Sequence, residues 1–137
     1  MSAGRNASGI AGRDRGSVSV GLILLVTVAL AGGALVFDGA RYLAAERHAS
    51  NTAEGAARAA VATGSPSDGL DADVARQAAV DHATRLGVRA ADITVAFPAR
   101  DVVVVTITER RSATFIRFTG STELVATAEG RARLEFS

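Results

Sequence analysis

The chain has 137 residues, 15 basic and 14 acidic, for a formal net charge of +1. That balance gives no electrostatic case for nucleic acid or anionic lipid as the principal partner, and with no cysteine there is no thiol catalysis, disulfide or thiolate-held metal. The length suits one small domain plus a membrane segment, and with 4% aromatic residues the core must come from Ala, Val, Leu and Ile.

Residues 1–16 are rich in Gly, Ala, Ser and Arg, lack an apolar period, and read as a disordered basic tail. Residues 17–37 read as a transmembrane helix. Its Val18–Phe37 run carries no charge and is long enough, at roughly 1.5 Å per residue, to cross about 30 Å of hydrocarbon once. In lipid the backbone must satisfy its own amides, so the run must be helical. Arg5, Arg13 and Arg15 precede it against Asp14 alone, which puts the N-terminus in the cytoplasm and the remainder outside. Three readings of the run stay open. It is a retained signal anchor, a cleavable secretory signal with Ala29-Leu30-Ala31 as the small-x-small site, or a prepilin-type leader with cleavage between Gly16 and Ser17. Ser17 with Gly21, and Ala29 with Gly33, have the small-xxx-small spacing that lets membrane helices approach closely.

The helix has no reason to stop at Phe37. No proline occurs from Asp38 to Thr63, and Tyr42, Ala45, Ala49, Ala53, Ala56 and Ala60 form one narrow stripe of helical period. Such a stripe permits close packing while burying little area per residue. It suits a helix laid against its own sheet, against sister helices in an assembly, or on the surface of its own domain. Glu54 and Arg58 form an i,i+4 pair of favourable polarity. Gly64-Ser65-Pro66-Ser67-Asp68-Gly69 reads as a linker.

Residues 70–137 read as a small α+β domain. A helix capped by Asp71 or Asp68 runs to about Leu86, with Val74, Ala78 and Leu86 on its apolar face, Ala75, Ala79 and Ala83 alongside, and Gly87 as C-terminal cap. Strands follow at Ile93–Phe97, ended by Pro98, and at Asp101–Arg110. The Thr114–Thr119 stretch reads as a loop or helical turn, and Gly120 turns the chain. In the last strand Leu124, Ala126, Ala128, Ala132, Leu134 and Phe136 share one face with Gly130 in register, and charged or polar residues take the other. The fold class is therefore α+β: a long N-terminal helix, a second helix and a three-stranded antiparallel sheet in a pilin-like layout.

No catalytic constellation, cofactor site or metal site is legible. His48 and His82 lack ligand partners at helical spacing and read as solvated surface residues. Ser112 has no local base, and Ala31-Gly32-Gly33 lies inside the apolar run rather than in a phosphate loop. Asp68, Asp71 and Asp73 lack the glycine and terminal glutamate of a calcium loop.

Arg15-Gly16-Ser17-Val18-Ser19-Val20, the apolar helix, Asp38-Gly39-Ala40-Arg41 and Asn51 to Ala60 resemble the N-terminal region of TadE/TadG-like proteins of tight-adherence (Flp) pilus assembly. Val103 to Thr108, Thr114-Phe115, Gly120 and Val125 to Ala132 resemble that family's C-terminal pattern. The resemblance implies a single-pass, pseudopilin-like envelope protein that works with other pilus or secretion-system envelope proteins, in contact with membrane lipid and in a homo- or hetero-oligomer through its N-terminal helix. Charge balance and the lack of any catalytic or ligand constellation already point to no enzyme, no cofactor and no nucleic-acid partner. TadE-type members are cut after a glycine, here Gly16, and carry glutamate five residues on, where this chain has Gly21. That difference points to the TadG-like, membrane-retained side. The alternative function is a secreted soluble binding module released by signal peptidase, beginning near Gly32.

Overall fold

A computed structural model describes residues 13–65, 67–112, 120 and 123–135. The elements are helix α1 (Arg13–Val61), helix α2 (Ala72–Arg85), a 3-10 turn (Ala90–Asp92), and strands β1 (Ile93–Ala99), β2 (Val102–Ser112) and β3 (Glu123–Arg133). The class is α+β, with an antiparallel sheet in the order β1-β2-β3. Two compact units divide the chain, Met1–Phe37 and Asp38–Ser137.

In the first unit, α1 begins at Arg13, so residues 13–16 open a helix rather than extending a disordered tail. Propagation from an existing apolar helix is far easier than nucleation. Residues 1–12 lie outside those described. From Val18 to Phe37 every side chain is exposed except the partly buried Ala34. The Thr27 hydroxyl donates to the Ile23 carbonyl at 2.8 Å, which satisfies it within the helix.

In the second unit, the remainder of α1 packs with α2 on one face of the sheet. Ala49, Ala53, Ala56, Ala57 and Ala60 of α1 join Ala75, Ala79 and Ala83 of α2 and Val103, Val105 and Ile107 of β2 in one core. The predicted last strand alternates as its sequence demands. Ala126 and Gly130 are buried, Leu124, Ala128 and Ala132 are half-buried, and the residues between them are exposed; Phe136 lies outside the described residues.

Three local expectations change. In α2 the alanine row faces the core, and Val74 and Leu86 are 54% and 48% exposed. On the helix side this core is filled by methyl groups, and the fully buried branched side chains come from β2. Secondly, β1 runs through Pro98 to Ala99. It is an edge strand, where a missing amide is tolerated, and its register to β2 shifts between Ala96 and Ala99. Finally, within the segment read as a linker, Ser65 pairs with Gly69. Ser65 and Gly69 exchange two backbone bonds of 3.0 and 2.9 Å, Gly69 has φ of 74°, and the Asp68 carboxylate accepts from the Ser65 and Ser67 hydroxyls.

Both ends of α2 are closed by its sequence. Asp71, not Asp68, is the cap: its Oδ1 accepts from the amides of Asp73 and Val74 at 2.9 and 3.1 Å. At the other end the Gly87 amide donates to the Thr84 carbonyl and the Val88 amide to the Ala83 carbonyl, with Gly87 at φ 89°. This is a Schellman closure, and it needs the left-handed glycine. The 114–119 stretch lies outside the described residues; Gly120 has φ of 92°.

Candidate functional site

The apolar half of α1 is the first candidate surface. Among the described residues it is the one helix long and apolar enough to cross a membrane, a test of length and composition alone. A Cβ added at Gly21, Gly32 or Gly33 would meet nothing within 4 Å, so these positions are open to a partner. Ala29 is exposed as well. Gly16 and Ser17 are helical, and their side chains lie outside the described set.

The stripe on the second half of α1 is turned to its own sheet. Ala45, Ala49, Ala53, Ala56 and Ala60 are buried, whereas Tyr42, at 39% exposed, stands outside the buried row beside the more exposed Leu43. Gly130 of β3 is what lets the helix come so close. A Cβ built there would fall 2.2 Å from the Ala53 carbonyl carbon and 2.3 Å from the Glu54 amide nitrogen. Alanine on the helix and glycine on the strand together remove the spacing that larger side chains would impose.

The histidines, read from their sequence context as solvated, are each half-buried and meet another element. His48 on α1 is half-buried, and its Nδ1 lies 2.7 Å from Oε2 of Glu109 on β2. Glu109 also accepts from Nη2 of Arg111 at 2.5 Å through its other oxygen. Both oxygens of a carboxylate that is 12% exposed are thus occupied, one by the helix and one by its own strand. His82 of α2 sits over Gly55 of α1, its Nε2 placed 2.6 Å from where a Cβ would be. Local spacing carried no signal for either contact, because both partners are distant in sequence. Asp38 is fully buried and has a partner. Glu54 and Arg58 pair at 3.7 Å on the exposed face, a geometry worth little.

Among the described residues no group of three or more His, Asp or Glu converges in a way that would hold a metal. The geometry offers packing and contact surfaces.

Residues 16–63 match the Tad family model, described as "Putative Flp pilus-assembly TadE/G-like". The Tad match covers about a third of the chain and runs from the fourth residue of α1 to two residues past its end. It takes in the Gly16–Ser17 junction, the apolar run, buried Asp38 and the alanine row. It does not extend to the sheet, so the resemblance read in residues 103–132 stands on the sequence alone. No curated protein and no solved structure matches the chain. The Tad match supports involvement in Flp pilus assembly, a structural and assembly role.

Proposed function

We propose that this chain is a membrane-anchored, pseudopilin-like component of Flp pilus assembly or of a related secretion system. It acts through protein–protein contacts and performs no catalysis. The observation that carries this reading is the Tad match over residues 16–63, which takes in the apolar run, exposed from Val18 to Val36 except at Ala34. An apolar surface of that extent requires lipid or another protein to cover it.

In this reading residues 18–37 cross the membrane once, with the Arg5, Arg13 and Arg15 side in the cytoplasm and the sheet outside. Gly21, Ala29 and Gly33 provide close-approach positions for helices of other envelope proteins or of a second copy. Gly21, in place of glutamate, favours retention in the membrane over processing at Gly16–Ser17.

The test is affinity capture of a C-terminally tagged full chain from detergent-solubilised membranes of its native host. The expected result is enrichment of other Flp pilus assembly components over an untagged control. Capture should weaken when Gly21 and Gly33 are replaced by leucine, with the protein still in the membrane fraction. Absence of every pilus or secretion component from the wild-type eluate would remove the proposal's support.

A further inference from the structure

The two edges of the sheet are built differently. At one edge β1 has seven residues, includes Pro98, and shifts its register to β2 between Ala96 and Ala99. At the other edge β3 has eleven residues and no proline, and from Glu123 to Arg133 it pairs with β2 in one unbroken register. Short length, proline and bulges are the means by which sheet edges are kept from pairing further. They mark β1 and are missing from β3. Among the described residues no strand lies beyond β3 to pair with its outer backbone groups.

The charges of β3 lie on the sheet face away from the helices. Glu123, Glu129 and Arg131 are exposed there, and opposite them on β2 stand Ser112, Thr106 and Val104, none of them charged. Among the described residues none of these three forms an ion pair. Arg133 in the same row differs, because it is bonded to Asp101 at 2.8 Å. Opposite charges that face each other across two strands stabilise the pair. β2 supplies no such partner to Glu123, Glu129 or Arg131, and the position left for one is a strand on the outer side.

We propose that the outer edge of β3 binds an extended strand of another protein, which lies antiparallel to it and lengthens the sheet by one strand. Backbone bonds hold a strand added in this way, and side chains select it. Selection then calls for basic residues opposite Glu123 and Glu129 and an acidic residue opposite Arg131. A second copy of β3 does not suit the position. An antiparallel pair of identical strands has a twofold axis normal to the sheet, which turns α1 of one copy end for end relative to the other. Two chains anchored in one membrane by the same end of α1 do not pair that way. That exclusion rests on the membrane reading above, whereas the edge and its charges do not.

The experiment adds a fluorescent eleven-residue peptide to the full chain in uncharged detergent and follows its anisotropy. The peptide alternates valine with threonine and, laid antiparallel to β3, carries arginine opposite Glu123 and Glu129 and glutamate opposite Arg131. A second peptide has these three charges reversed, and a third is the first with its backbone amides methylated. The expected result is saturable binding of the first, about tenfold weaker binding of the second, and none of the third. Deuterium exchange should slow in β3 when the first peptide is added and stay unchanged in β1. The preference between the first two peptides should invert in a chain that carries Glu123→Arg, Glu129→Arg and Arg131→Glu together. Exchange in the unaltered chain serves if that variant does not fold. Failure of the first peptide to bind, equal binding of any two peptides, or slowed exchange in β1 instead of β3 overturns the proposal. A concentration-dependent dimer of the chain that the first peptide disperses gives the edge to a second copy and overturns it as well. Each of these outcomes is separable from the assembly role, which the capture experiment reads independently.

Discussion

Gly130 and Gly55 both sit where α1 meets a neighbour, and the neighbours respond to added volume differently. At Gly130 the obstacle is backbone, the carbonyl group of Ala53 and the amide of Glu54. A methyl group there can be accommodated only by moving the helix off the sheet. Gly130→Ala is expected to destabilise the detergent-solubilised full chain by about 2–3 kcal/mol, read from chemical denaturation. At Gly55 the obstacle is the end of the His82 side chain, which can rotate away. Gly55→Ala also gains roughly 1 kcal/mol of helix propensity, so its net effect should lie within about 1 kcal/mol of zero. Equal losses at the two sites would mean that the helix–sheet contact is looser than the structure places it. The His48–Glu109 bond is partly exposed, and solvent screening limits its worth. A double-mutant cycle with His48→Gln and Glu109→Gln should give a coupling of about 0.5–1 kcal/mol. A coupling indistinguishable from zero would show that the bond does not tie α1 to β2. Replacing Asp71 with alanine removes the cap of α2 and should cost about 1 kcal/mol.

At the level of elements, β2 is the strand with neighbours on both sides and with Val103, Val105 and Ile107 in the core. Its amides should exchange with deuterium more slowly than those of either edge strand; exchange of Val103–Ile107 as fast as Ile93–Phe97 would contradict the sheet order. The α2 cap and its Gly87 closure were legible from the chain because each follows from residues within one turn. The alternation of β3 was legible for the same reason: period two needs no knowledge of a partner. What the chain did not disclose depends on pairs far apart in sequence. Periodicity placed Gly130 on the inward face, yet nothing in it says that the Ala53 backbone would lie there. Val74 and Leu86 outrank alanine as apolar residues, yet the core accepted the alanine row because depth, not hydrophobicity, limits that contact. Pro98 ended the predicted strand on propensity, and the edge position of β1 overrode it.

For the whole molecule, two features of α1 divide the work. Its stretch from Val18 to Val36 carries no charge and is exposed except at Ala34, and its second half supplies the alanine row of the core. The Tad match runs across both. In the proposed reading, the candidate membrane span and the core row share one helix, so the assembly role requires that span to remain. The most direct measurement is the mass, and hence the N-terminus, of the mature protein in carbonate-washed membranes and in the culture supernatant of its native host. The account predicts a membrane-bound species that still carries residues 18–37 and an uncut Gly16–Ser17 bond. A soluble species in the supernatant that begins near Gly32 would contradict it.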